Sequence, residues 1–158
     1  MNLLYFNLAI DEHYAPLSFN IKWLNAIAKN YENVYVITKY CDSTSLNKNI
    51  KVFSINSTKN SSKLIVITKF FFFLIKILIT KNISRCFSHM NPLYVALAGV
   101  FLFLFRVRTL LWYTHPSLTL KLKIAYFFSD EIITSSIDSF PYKKAKVNPI
   151  GHFIDDHI

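Results

Sequence analysis

The sequence predicts an α/β domain, a Rossmann-like three-layer fold with a mostly parallel sheet of six or seven strands. Three observations carry that prediction. Short apolar runs, the mark of strands buried on both faces, recur along the chain. Segments with apolar residues at helical spacing separate them. The 158 residues are 53% hydrophobic, which suffices for one sizeable core.

Taken in order, Leu3-Leu4-Tyr5-Phe6-Asn7-Leu8 reads as a first buried strand, followed by a polar loop over 9–16. Leu17, Ile21, Leu24, Ile27 and Ala28 then fall on one face and predict an amphipathic helix over 17–31. Residues 33–38 and 50–55 read as the second and third strands, joined by a loop rich in Ser and Asn. From 61 to 81 runs a long apolar helix in which Lys69 and Lys76, seven apart, share a face. Residues 83–89 form a fourth strand. Asn91 and Pro92 then supply an N-cap and a first helical residue for a helix that is apolar on every side from Leu93 to Phe105. A fifth strand over 110–113, a helix over 117–129 and a sixth strand over 131–135 follow. Residues 147–150 make the last strand, closed by Gly151.

Sheets of this kind bind ligands at the carboxyl ends of their strands. The loops 9–16, 88–92, 113–117 and 135–141 are therefore the places to look for chemistry. His13, His89 and His115 fall in or beside three of them.

Composition narrows the function mainly by exclusion. Only two glycines are present, where an average chain of this length holds roughly eleven. No GxGxxG or GKS/T run exists, which disfavours a nucleotide-binding dehydrogenase or a P-loop enzyme. The net charge of +9 favours an anionic partner, although the lysines are spread along the chain. No basic-aromatic motif of the nucleic-acid binders appears, so a nucleic-acid partner is not expected. Cys41 and Cys86 lack metal spacing, no metal or cofactor is expected, and the expected compartment is a reducing cytoplasm. The apolar stretches 64–79 and 93–105 are short of the roughly twenty residues a membrane span needs. A helix flanked by Lys63, Lys69, Lys76 and Lys81 can instead lie on an anionic membrane surface, the inner face of the cell membrane.

Several stretches in order resemble the N-terminal domain of the family 4 glycosyltransferases, which have the type-B fold of two facing Rossmann-like domains. MNLLYFNLAI, LSFNIKWLNAIAKN and NVYVITKY resemble the family's first strand, first helix and second strand. SHMNPLYVALAG and TLLWYTHPSLTLKLKIAYFFSDEIITSS are similar to its histidine-ended strand, the helix after it and its D-x-I-x-T-x-S strand. KVNPIGHFID resembles the segment next to the hinge, with Phe153 where the family pattern has glycine.

The resemblance implies a hexosyltransferase acting from a nucleotide-sugar onto a glycan or lipid-linked acceptor, with retained stereochemistry and no metal. Residues 1–150 would form the acceptor-side domain and 151–158 a truncated hinge segment. The C-terminal donor domain would be absent or supplied by a separate chain, leaving this chain inactive alone and the nucleotide-sugar held mainly by the missing half.

The same resemblance assigns His115 to the cleft between the domains, near the transferred sugar and the donor phosphates. An imidazole there either donates a hydrogen bond to developing phosphate charge or orients the acceptor hydroxyl. The plainer reading is a surface histidine before Pro116. Asp11, Glu12, His13 and His89 would line the acceptor side, and Ser135 and Ser136 the cleft wall, each against a plain turn or capping role. The family has a glycine turn where Asp11, Glu12 and His13 stand. A competing expectation from another class is a small basic membrane-associated protein with two hydrophobic helices and no enzymatic role. A receiver-like domain, with Asp11 and Glu12 as an acidic pair, lacks the aspartate and lysine that its third and fifth strands require.

Overall fold

A computed structural model describes residues 1–11, 15–43, 45–56, 62–142 and 145–151; for 15–19 it describes the backbone only. Nine strands, four α-helices and one 3₁₀ turn are formed by these residues. The strands are β1 (Asn2–Asn7), β2 (Ile10–Asp11), β3 (Asn33–Thr38), β4 (Cys41–Asp42), β5 (Ile50–Ser54), β6 (Ile83–His89), β7 (Arg108–Trp112), β8 (Glu131–Thr134) and β9 (Val147–Pro149). The helices are α1 (Ala15–Ala28), α2 (Lys63–Thr80), α3 (Pro92–Leu104) and α4 (Leu120–Phe128), and Ile137–Ser139 makes the 3₁₀ turn.

Seven strands form one sheet in the order β5-β3-β1-β6-β7-β8-β9, and every pair is parallel. The order runs outward from β1 in one direction through β3 to β5, then returns and runs outward in the other from β6. That reversal is the switch point of a doubly wound sheet. Right-handed crossovers dictate where the helices go. Winding toward β3 puts α1 on one face. Winding the other way puts α2, α3 and α4 on the opposite face.

Two buried clusters record this division. Leu4, Phe6, Tyr35, Ile37, Leu111 and Ile132 pack under Phe70 and Leu74 of α2, Val95 and Leu102 of α3, and Leu122 of α4. On the other face Leu3, Tyr5, Val34, Val36, Phe87 and Trp112 pack under Ile21, Leu24 and Ala28 of α1. Alternation along β1 explains the split, since successive side chains point to opposite faces. Each fully buried Leu, Ile or Phe contributes roughly 1.5–3 kcal/mol.

Helix ends follow local chemistry. Ser62, Asn91 and Thr119 cap α2, α3 and α4, accepting from the backbone N–H of Ile65, Tyr94 and Leu122 at 3.4, 3.4 and 3.2 Å. Helix α1 stops at Ala28, earlier than the predicted 31. Asn49 Nδ2 closes this end, donating to Ala28 O at 2.8 Å and to Tyr31 O, just past the helix, at 2.9 Å. Pro16 near its start is compatible with a first turn. Helix α4 starts at Leu120 rather than 117, because Thr119 is its cap.

The loop predicted over 9–16 is partly a strand. Ile10–Asp11 pairs in parallel with Cys41–Asp42, beyond the carboxyl ends of β1 and β3. Two residues give no periodicity, so the sequence carries no strand signal there. Strand β7 likewise begins two residues before the predicted start, where Thr109 N donates to Asp130 Oδ2, just before β8, at 2.6 Å and Arg108 pairs with Glu131 of β8 at 3.7 Å. Among the described residues, no helix is long and apolar enough to cross a membrane.

Candidate functional site at the carboxyl edge

Buried polar side chains concentrate where the strands end. Asn7, Thr38, Ser88, His89, Thr134 and Ser135 are all buried and all sit at carboxyl ends in the main sheet. Asn20, Thr109 and Ser129 are buried elsewhere, but the largest group of buried polar side chains lies at the edge that faces the switch point.

Strand β1 closes with a local turn in which Leu8 N donates to Asn7 Oδ1 at 2.8 Å and Asn7 Nδ2 donates to Ala9 O at 3.1 Å. On the other side of the switch point, β6 ends at His89, in register with Trp112 of β7. The His89 ring is only 5% exposed and meets Trp23 of α1 edge-on, with centroids 5.4 Å apart. Trp23 meets Trp112 at the same separation. Burial in this aromatic setting pushes the imidazole down to about 4, so His89 is neutral at pH 7.

The next residue, Met90, has a left-handed backbone with φ 52°. An L side chain there costs roughly 1–2 kcal/mol. The turn is held by Met90 N donating to Trp112 O at 2.8 Å and by Ser88 Oγ donating to Asn91 O at 2.9 Å. Thr114 Oγ1 reaches Met90 Sδ at 3.5 Å, tying the ends of β6 and β7 together. Strain of this kind gathers at functional edges. Helix α3 starts directly after it, but Pro92 has no N–H and Asn91 takes the N–H of Tyr94, so little of this helix end remains for an anion.

His115 stands three residues beyond β7 and is exposed. Its Nδ1 accepts from Ser117 N at 3.1 Å. That bond sets the tautomer: in the neutral ring the proton is on Nε2, which is left as a donor at the open edge. The ring lies 6.4 Å from that of Tyr113, and Tyr113 packs on Phe140 at 6.1 Å.

The remaining candidates divide. Ser135 Oγ donates to Ser139 Oγ at 3.0 Å, and Ser136 and Ser139 share a hydrogen bond at 2.7 Å. Both serines therefore build the 3₁₀ turn, and Ser135 O accepts from Gly151 N at 3.1 Å to hold the end of β9. Asp11 lies in β2 instead of in a loop, where its Oδ2 accepts from Tyr40 Oη at 2.9 Å. Glu12, His13 and residues 152–158 lie outside the described residues. His89, Met90, Thr114 and His115 come together on the adjoining ends of β6 and β7, while Ser135 and Ser136 belong to the neighbouring β8 end.

Sequence reasoning missed Trp23, Met90 and Lys146. Trp23 carries a usable signal, because it lies four residues before Ile27 on the inward stripe of α1. Nothing in the sequence marks Met90 as left-handed. Lys146 Nζ donates to Ser129 O at 2.9 Å and to Tyr126 O, and lies 4.0 Å over the Tyr126 ring. It closes the end of α4 against β9 and has no part in the edge.

A cavity of about 410 Å³ opens at the opposite, amino-terminal edge, lined by Leu3, Ile27, Tyr31, Arg85, Arg108 and Glu131 among others. It exists because α1 is the helix on that face and the winding leaves β7 and β8 uncovered there. Of its charged side chains Arg108 pairs with Glu131 at 3.7 Å, and it lies away from the histidines. Among the described residues no group of three or more His, Cys, Asp or Glu is placed to hold a metal ion.

No family model matches the chain, and no curated protein matches it. Solved structures do. A UDP-N-acetylglucosamine 2-epimerase superposes with a TM-score of 0.64 at 9% identity, over 94% of this chain and 47% of its own. Anabaena HepE, solved with UDP and glucose, gives 0.63 at 13% identity over 98% and 45%. The lipopolysaccharide outer core galactosyltransferase WaaB gives 0.53 at 11% identity over 88% and 40%. The likeness establishes the fold, one Rossmann-like half of the type-B architecture. The chain spans about half the length of the structures it resembles.

Proposed function

We propose that this chain is the acceptor-side half of a glycosyltransferase of the family 4 kind. It would move a hexosyl group from a nucleotide-sugar to a glycan or lipid-linked acceptor. A donor half, on more of the same polypeptide or on a separate chain, would complete the cleft and hold most of the nucleotide. The observation that carries this reading is His115, whose Nδ1 is fixed by Ser117 N and whose Nε2 is left free to donate at the open carboxyl edge.

The chemistry follows from that donor. As the bond between the sugar and the diphosphate breaks, negative charge grows on the leaving phosphate oxygens. An imidazole whose Nδ1 is held by Ser117 N presents Nε2–H as a donor that can stabilise that charge. Its Nδ1 is occupied, so the ring works as a hydrogen-bond donor. His89, neutral and set among Trp23 and Trp112, is too weak a base to take a proton at pH 7. Its role in this reading is to shape the acceptor side beside His115. Asp11, Glu12 and His13 would bound the same side, and Ser135 and Ser136 would support the wall.

The test is kinetic. His115→Ala in the assembled enzyme should lower kcat about 10²–10³-fold, with KM for the acceptor little changed. Retained turnover in a folded variant contradicts the assignment. The fold is also that of 2-epimerases, so the product decides between classes. A sugar joined to an acceptor supports transfer; an isomerised nucleotide-sugar with no acceptor consumed overturns it.

A further inference from the structure

We infer that the cavity at the amino-terminal edge is a binding site for a small amphiphilic anion, with one carboxylate or phosphate head on an apolar body. Its volume of about 410 Å³ falls within the roughly 300–1,000 Å³ of small-molecule sites. An all-parallel sheet is ordinarily covered on both faces, yet beside α1 this face holds a hollow instead. Leu3, Phe87, Leu110 and Ile27 make its apolar wall and pack in or against the cluster under α1. Three of the four stand on hydrogen-bonded strands, which give the hollow a fixed floor.

Charge selects the ligand. Arg85 of β6 and Arg108 of β7 are register partners, and both line the cavity. Neighbouring strands lie roughly 4.8 Å apart, so the two side chains leave one face side by side. Like charges set opposite each other in a sheet repel. Glu131 answers one of them, reaching Arg108 at 3.7 Å. Arg85 has no hydrogen-bond or ion-pair partner among the described residues. The cavity therefore holds an unanswered positive charge beside an apolar wall. An oxyanion seated between the arginines is held by charge-assisted, bidentate hydrogen bonds. A polyanion would bring its further charges against Glu131, and a head without an apolar body would leave the wall bare. One head on one short apolar body satisfies both. The site stands at the end of the sheet opposite the histidines, so the inference is independent of the chemistry assigned to the carboxyl edge.

The test is calorimetric titration of the full chain with octanoate, octyl phosphate, octanol and inorganic phosphate. Binding of octanoate or octyl phosphate supports the inference, and the tighter of the two identifies the head. Octanol and inorganic phosphate, each lacking one half of the ligand, should bind about tenfold more weakly or not at all. Arg85→Gln should weaken the binding about tenfold at an unchanged circular dichroism spectrum, since its side chain is exposed. Glu131→Gln should strengthen it about two- to fivefold, because Arg108 is then free for the ligand. Lys123→Gln, on α4 across the sheet, should leave it unchanged. No binding of either amphiphile, equal binding of octanol, or an equal loss in the Arg85 and Lys123 variants overturns the inference. So does loss of binding in the protein isolated from its own cells with whatever completes it, which would assign the hollow to a segment of the completing half.

Discussion

At the residue scale the edge is built from side chains whose protonation and backbone are fixed by their surroundings. His89 ionises at about 4 in the fold, because burial opposes the charged ring, whereas an unfolded histidine ionises near 6.5. Between those values the unfolded chain binds more protons than the folded one. Stability is therefore unaffected above pH 6.5 and falls as the pH drops from there toward 4. A urea midpoint series should show about 2 kcal/mol less stability at pH 5 than at pH 7 from this residue, and His89→Gln should remove that loss. Identical pH profiles for the two proteins would contradict the buried neutral ring. His89 and His115 were legible in the sequence as polar residues at the ends of apolar runs. Their difference was not: burial by Trp23 is a tertiary fact, and the bond from Ser117 N depends on a loop conformation that has no periodic signal. Asp11 was legible as a carboxylate beyond a strand end, but its bond from Tyr40 Oη joins residues 29 apart and left no mark in the sequence.

At the element scale two close fits set the stability of the helix layer. A methyl group at Gly99 would lie 2.3 Å from Phe128 Cγ and 2.7 Å from its Cβ, and the Cβ cannot rotate away. Gly99→Ala should therefore destabilise the fold by about 1–3 kcal/mol despite its better helix propensity, as read by thermal or urea unfolding. Arg106 poses the reverse case. It ends α3 with φ 55°, its N–H donating to Phe103 O at 3.0 Å while Val107 N donates to Leu102 O at 2.9 Å. Glycine is the residue that this left-handed helix end favours. Arg106→Gly should raise stability by about 1 kcal/mol in the same unfolding experiment. The parallel strands were readable because burial on both faces makes them apolar runs, and α3 because Asn91 and Pro92 mark its start. The β2–β4 pair was hidden, since two-residue strands held by backbone bonds such as Ile10 N to Tyr40 O have no pattern of their own.

At the scale of the whole molecule, the direction of winding explains most of the arrangement. Reversal between β1 and β6 opens the carboxyl edge at which His89 and His115 stand, and it places three helices on one face and α1 on the other. The resulting surfaces are unlike: a polar edge, an uncovered sheet at the amino end, and an apolar basic helix layer. The alternation of strands and helices disclosed the architecture, but strand order is set by crossovers that leave no mark on composition. The fold is one half of a two-domain architecture whose other half, in the structures it resembles, accounts for the remaining length.

The most direct test of the central claim is to isolate the tagged protein from its own cells, with whatever completes it, and supply labelled nucleotide-sugars with a lipid extract of the same cells. The account predicts label in a glycan or lipid-linked product, lost with His115→Ala. Label that stays on the nucleotide, or transfer that His115→Ala leaves unchanged, would contradict it.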